Sequence, residues 1–352
     1  MQEPYIKGRG AQFNPKNPFS KSEYTREHTD GIDENIFADK PKMQLFYESP
    51  KNIISKFNSP DLGGEGYSIN PYQGCEHGCS YCYARNSHQY WGFSAGLDFE
   101  TKIIIKKNAA ELLERSFLSS SWVARPVMLS GNNDCYQPSE RKLKITRSLL
   151  EVFTRYRNPV TIITKNNLVE RDIDILQDLA KDNLTYVFIS INTVTASLRQ
   201  KMEPRTATVA KRFKIIRKLS DSGIPAGVMV APVIPGLNDH EVPEILKQAA
   251  DNGAVGCGYE VVRLNGTIGT IFKDWLVKNY PEKSYKVWKQ IETLHGGKVN
   301  DTEWGRRLLG EGNYATMIAR LFQTSKEKYF EGRQLPVLNR NKFRRGGNLT
   351  LF

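Results

Sequence analysis

The sequence predicts an α/β protein built on a parallel sheet covered by helices. Two observations carry this: strands that are apolar throughout, and amphipathic helices that alternate with them from about Tyr67 to Thr270. Tyr67-Ser68-Ile69-Asn70 reads as a short strand, and Ile103-Ile104-Ile105 as a second apolar run. A helix follows, with Ala109, Leu112, Leu113, Ser116 and Phe117 on one face at helical spacing. The regular series then begins. Val127–Ser130 is a strand, followed by a helix from Ser139 carrying Ile145, Leu149, Val152 and Phe153. Val160–Thr164 is the next strand, with a helix across Val169–Ala180. Tyr186–Ile191 precedes a helix bearing Val209, Phe213, Ile216 and Leu219. Ala226–Ala231 and Gly258–Val262 complete the series around a helix over Glu241–Asp251. Periodicity alone fits both a full or partial (β/α) barrel and an open doubly wound sheet.

The flanks differ from this series. Residues 1–60 are rich in Asn, Pro, Gly, Lys and Glu and predict an irregular N-terminal extension. After Thr270 the strand signal stops, and Trp275, Trp288, Ile291, Leu308 and Leu321 suggest a helical region with a basic tail. The expected organisation is an extension over 1–60, a core over 61–270 and a helical basic region over 271–352. A length of 352 residues with 39% hydrophobic side chains supports a substantial core and excludes a disordered chain. No apolar run reaches a membrane span, and Met1–Arg9 lacks the apolar stretch of a signal peptide, so a cytoplasmic, reducing setting is expected. The formal charge of +12 favours a polyanionic partner such as DNA or RNA.

Three of the five cysteines sit in Asn70-Pro71-Tyr72-Gln73-Gly74-Cys75-Glu76-His77-Gly78-Cys79-Ser80-Tyr81-Cys82-Tyr83-Ala84-Arg85, spaced Cys-x3-Cys-x2-Cys. Three thiolates on one glycine-bearing segment can converge on one inorganic centre. A structural zinc ion would need a fourth ligand, such as His77. An iron–sulfur cluster held by three thiolates keeps one iron open for a small molecule.

The spacing of Cys75, Cys79 and Cys82, with Tyr81 just before the last, resembles the signature loop of radical S-adenosylmethionine (SAM) enzymes. The wider segments Ser130–Glu140, Ile163–Asn166, Ser190–Thr193, Glu203–Arg205 and Ala231–Asp239 resemble the spore-photoproduct-lyase-like, or "DNA repair photolyase", group of that superfamily. The resemblance implies a partial (β/α)6 barrel with the cysteine loop after the first strand and SAM across its C-terminal mouth. It implies that Cys75, Cys79 and Cys82 hold a [4Fe-4S] cluster, and that an external one-electron reductant drives SAM cleavage to a 5′-deoxyadenosyl radical. At the strand ends, Tyr81, Asn133, Asp134, Lys165, Ser190 and Asn192 are the candidate SAM contacts. Asn133 and Asp134 suit the ammonium group, Lys165 the carboxylate, and Ser190 and Asn192 the ribose hydroxyls. The hydrogen-returning cysteine of that group falls at Gly131 here, so Cys135, beside Tyr136, is a separate candidate hydrogen donor. Asn348-Leu349-Thr350-Leu351-Phe352 resembles the peptide by which bacterial repair proteins bind the sliding clamp, through Asn348, Leu349, Leu351 and Phe352. The expected activity is radical SAM chemistry on nucleic acid. The alternatives are modification of a peptide or small metabolite, and a non-catalytic Fe–S or zinc protein that binds nucleic acid.

Overall fold

The computed structural model describes residues 5–20, 42–62 and 64–346. Its strands in chain order are β1 (Gln44–Glu48), β2 (Ile54–Ser59), β3 (Gly64–Ile69), β4 (Tyr72–Gln73), β5 (Lys102–Lys106), β6 (Val127–Leu129), β7 (Val160–Thr164), β8 (Thr185–Ser190), β9 (Ala226–Val233) and β10 (Gly256–Val261). A seven-stranded sheet runs in the order β2-β3-β6-β7-β8-β9-β10, parallel throughout except for the antiparallel edge pair of β2 and β3. Each new parallel strand joins the same side of its predecessor. A doubly wound sheet would reverse its order at a switch point. This sheet never does, so it curls as a half-barrel, and the ambiguity left by periodicity is resolved in favour of the partial (β/α) barrel. β1, β5 and β4 form a separate small sheet beside it, so the apolar run at Ile103–Ile105 lies outside the barrel.

The sheet has two distinct faces. Val127, Leu129, Val160, Ile162, Val187, Ile189, Val228 and Val230 point toward the helices and are buried in the main core. The opposite face lines the lumen, where small residues sit beneath large ones. A Cβ on Gly66 would meet the Phe57 ring at 2.3 Å, and one on Gly227 would meet the Phe188 ring at 2.6 Å. Apolar stripes pin the helices: Ile145, Leu149, Val152 and Phe153 are all buried along Ile145–Tyr156. The helix expected from Ser139 is broken at Lys144, whose φ is +54°. The helix Val209–Asp221 is capped by Thr208, whose hydroxyl accepts from the Lys211 amide at 3.4 Å.

The flanks do more than decorate. Ile54–Ser59, within the stretch expected to be irregular, is the edge strand of the barrel sheet. At the other edge the segment 299–310 straps the open side of the half-barrel. Leu308 accepts from the Val261 amide (2.8 Å), and Val299 accepts from Leu264 (2.8 Å). Gly305 and Arg307 both donate to Asp61, beyond β2. Helices Ile268–Asn279, Pro281–Leu294 and Gly312–Phe330 give the expected helical C-terminal region. Among the described residues no helix is long and apolar enough to cross a membrane. The clamp-like residues Asn348, Leu349, Leu351 and Phe352 lie outside the described residues.

Candidate active site

The cysteine loop leaves β3 at the C-terminal mouth of the barrel and is shaped by two successive turns. The Gly78 amide donates to the Cys75 carbonyl, and the Cys82 amide donates to that of Cys79, each at 3.4 Å. The three cysteines are unpaired. Cys75 and Cys79 are buried and Cys82 is half-buried. Burial pushes the Cys75 thiol up, helped by the negative charge of Asp134 and of the other two sulfurs. Burial and Glu203 do the same to Cys79, while Lys165 pulls it back down. Sulfurs that oppose one another's ionisation suit a bound cationic centre, because metal binding displaces their protons.

The loop is gripped from behind by a fully buried ion pair. Arg85 donates to the Cys79 carbonyl (2.9 Å), to the carbonyls of Ala95 (3.1 Å) and Gly96 (2.9 Å), and to Glu100 (2.6 Å). Glu100 in turn accepts from the backbone amides of Gly10 (3.3 Å) and Ala11 (2.7 Å). The N-terminal arm thus docks onto the loop. Gly10 lies so close that a Cβ there would stand 1.7 Å from the Gly78 carbonyl oxygen. Gly78 itself has φ +65°, and a Cβ on it would meet Glu100 at 2.5 Å. Farther along the arm, Asn17 donates to the Gln89 (2.8 Å) and Phe93 (3.1 Å) carbonyls.

The strand-end residues form a ring around the mouth. Asn70, after β3, accepts from the amides of Gly131 (2.8 Å) and Asn132 (2.7 Å) and so fixes the loop after β6. Ser130 takes φ +82° there, an uncommon conformation for a residue with a side chain. Asn133 donates to the Tyr72 carbonyl, and its own side-chain oxygen is buried without a partner. Asp134 is buried with both oxygens engaged by the protein. It accepts from Thr164 (2.7 Å), the Tyr136 amide (2.9 Å) and the Lys165 amide (2.7 Å), and His77 Nδ1 stands 3.3 Å away. Burial raises its pKa, but the His77 ring and these donors outweigh that and hold it down to about 2. Asp134 therefore ties the loop to β7 and sets the backbone from which Lys165 projects.

The half-buried Lys165 ammonium makes no hydrogen bond or ion pair among the described residues. Desolvation pulls its pKa down, yet the charges of Cys79 and Glu203 hold it above the ordinary lysine value. Beside it, Tyr81 donates to Glu203 and accepts from Asn192 at 3.3 Å. Glu203 pairs with buried Arg212 at 2.5 Å, and Arg212 also donates to the Ser190 carbonyl (2.9 Å). The Asn192 side-chain oxygen is buried without a partner. The structure therefore brings Tyr81, Asn133, Asp134, Lys165, Ser190 and Asn192 together with the cysteine loop.

Cys135 is set apart. It is wholly buried in the core between sheet and helices, with its amide donating to Ser130 (2.8 Å) and its carbonyl accepting from Thr146 (2.7 Å). Its thiol is held neutral by burial and by Asp134. Sequence reasoning missed the Arg85–Glu100 and Glu203–Arg212 pairs, which join residues far apart in the chain.

Known proteins place this architecture. The radical SAM superfamily signature matches residues 69–249, from the end of β3 into the helix before β10. An uncharacterized protein of Mycobacterium tuberculosis is 32% identical over 61% of this chain, which spans 64% of that relative's length. An uncharacterized protein of Methanocaldococcus jannaschii is 29% identical over 65% of this chain and 82% of its own. The "Radical SAM Nalpha-GlyT isomerase" of Pseudomonas phage M6 is 26% identical over 63% of this chain and 44% of its own. Among solved structures, spore photoproduct lyase complexed with dinucleoside spore photoproduct superposes with a TM-score of 0.59 at 16% identity, covering 82% of this chain and 80% of that one. A mutant of the same lyase with bound AdoMet and dinucleoside spore photoproduct gives 0.57 at 16% identity, covering 82% and 79%. That likeness is one of fold. The half-barrel accords with a signature that spans more than half of the chain: this protein belongs to the radical SAM superfamily.

Proposed function

We propose that Cys75, Cys79 and Cys82 hold a [4Fe-4S] cluster whose open iron binds SAM, and that the enzyme acts on nucleic acid. The observation that carries the first part is the unspent polar capacity around the loop. Lys165 has no partner among the described residues, and the buried oxygens of Asn133 and Asn192 are orphaned. Buried polar atoms are normally paired, so such a set fits a zwitterionic ligand. The donor set also fits a cluster better than a single ion. A single ion would need a fourth ligand beside the three thiols, and His77 turns its Nε2 to Asn166 (3.2 Å) and its Nδ1 toward Asp134 (3.3 Å). When bound, the cluster and SAM supply an electron and a hydrogen-abstracting 5′-deoxyadenosyl radical.

The chain's own residues do the rest. Lys165 neutralises the SAM carboxylate, the Asn133 oxygen accepts from its ammonium group, and Asn192 accepts from the ribose. Asp134, already satisfied, orients Lys165 and holds His77 off the sulfurs. The Glu203–Arg212 pair fixes Tyr81 within the loop. Nucleic acid is supported as substrate by the net charge of +12, by the dinucleoside spore photoproduct held in the lyase of like fold, and by the electrostatic attraction that such charge exerts on phosphate. Five free cysteines and a reducible cluster fit a cytoplasmic setting.

Anaerobic reconstitution with iron and sulfide, followed by dithionite and SAM, tests this reading. The expected result is 5′-deoxyadenosine, with iron and product both lost in Cys75→Ser, Cys79→Ser and Cys82→Ser. No product from the wild type, with or without nucleic acid, overturns it. Deuterium appearing in 5′-deoxyadenosine from a labelled peptide, and none from labelled DNA or RNA, moves the substrate to the alternative class.

A further inference from the structure

The last strand and the segment just after it carry two charges that the fold leaves unused. In β10 the register sets Cys257 opposite Val228 and Tyr259 opposite Val230. Tyr259 packs against Phe322 of the C-terminal helix, with ring centroids 4.5 Å apart. The alternate positions therefore face the lumen. Gly258 does so: a Cβ there would meet the Met229 thioether at 3.1 Å. The pairing with β9 shifts by one residue between Tyr259 and Val261, but Tyr259 and Val261 both pack on the main core, so Glu260 between them faces the mouth, within electrostatic reach of Arg263, Lys165, Arg307 and Asp61. It accepts no hydrogen bond and forms no ion pair among the described residues. Arg263 is equally half-buried and unbonded, its guanidinium 5.5 Å from the ring centroid of Tyr83, the residue after Cys82.

A half-buried carboxylate and a half-buried guanidinium without hydrogen-bond partners among the described residues retain bonding capacity that the fold does not use. A ligand that supplies both partners uses it. The surroundings narrow its chemistry. Ionised Glu260 can only accept, so it requires an N–H or O–H donor. Arg263 suits an anion or a flat π-face, whereas Arg307 already has its anion in Asp61. The strap brings Trp304 to the same rim, with Arg307 at 3.6 Å from its ring centroid, and Trp304 and Tyr83 are both exposed aromatic side chains. Donor, anion and flat ring coexist in a nucleotide. A peptide backbone offers the donor without the anion or the ring.

We propose that Glu260 and Arg263 read the substrate nucleotide, Glu260 accepting an N–H from the edge of an unstacked base and Arg263 binding the phosphate beside it. This rests on the nucleic-acid reading above and names the residues that would discriminate. The experiment uses the reconstituted enzyme with SAM and fluorescent single-stranded oligonucleotides of each of the four bases. Arg263→Ala is expected to weaken binding of all four about tenfold and to flatten the salt slope by about 0.7, as for one lost phosphate contact. Glu260→Gln, whose amide both donates and accepts, is expected to lose about tenfold on the preferred base and to narrow the spread among bases. The change that SAM induces in the cluster's electron paramagnetic resonance (EPR) spectrum shows in both variants that fold and cofactor site are intact. Wild-type affinities and base preference in both variants overturn the inference alone. So does loss of the SAM-induced change with oligonucleotide binding intact, which assigns the pair to the SAM pocket. A wild type that binds no oligonucleotide and gives the same 5′-deoxyadenosine with or without one overturns the nucleic-acid reading itself, and the pair's ligand with it.

Discussion

The two sides of the barrel mouth treat charge in opposite ways. Behind the cysteine loop, Arg85 and Glu100 are fully buried, and their bonds run to each other and to backbone on three segments. Across the mouth, Lys165, Glu260 and Arg263 are half-buried and take no hydrogen bond or ion pair among the described residues. The first arrangement is finished and the second is open. A satisfied buried pair holds shape, whereas an unsatisfied one leaves interaction free energy for a visitor. Which charges build the site and which serve it can be told from this difference.

Four substitutions probe that division. Glu100→Gln should do the most damage, because it strands Arg85 without a counter-charge. A cost of about 3 kcal/mol or more is expected, seen as a lower Tm and as reconstitution with less iron per chain. A variant that unfolds and reconstitutes like wild type would break the comparison on its finished side. Asp134→Asn comes next, and its effect should depend on pH. Asp134 is depressed to about 2 in the fold, below the ordinary value of about 3.9. Its stabilisation is therefore complete above about pH 4 and disappears as the pH falls through about 2. The asparagine variant should be less stable at neutral pH and should lose part of the wild-type acid transition in a urea titration across pH. Lys165→Ala should leave the stability within about 1 kcal/mol of wild type, because no internal bond is lost. It should instead raise the SAM concentration needed for the EPR change roughly ten- to hundredfold. A large drop in Tm with unchanged SAM binding would assign Lys165 to the finished side. Cys135→Ala should be the mildest, costing about 1 kcal/mol through a small core void, with 5′-deoxyadenosine formed at the wild-type rate. A lost turnover there would restore Cys135 as a hydrogen donor.

The barrel was legible because its strands are written in Val, Ile and Leu. Val160–Thr164 is read to the residue, and the other strands from Val127 to Val262 to within two residues. The cysteine loop was legible because three thiols at that spacing have few other uses. The N-terminal arm was not, because it docks through Gly10 and Ala11 amides and through Asn and Gln side chains, which leave no period. β2 escaped as well: Ile-Ser-Lys-Phe-Asn-Ser is mostly polar, and only its pairing with β3 makes it a strand. Asp134 and Lys165 could be found by their place at strand ends. That Asp134 is saturated and Lys165 is not depends on neighbours from other segments, which no local pattern encodes.

The contact between Gly10 and the Gly78 carbonyl has a thermodynamic corollary. Two segments 68 positions apart in the sequence press on one another too tightly to shift independently. Whatever orders the cysteine loop must then tighten the arm by the same factor, and arm docking must favour the filled loop in return. Cluster insertion should therefore be audible at the far end of the chain, as slower protease cleavage around Arg9 in the iron-loaded protein than in the iron-free one.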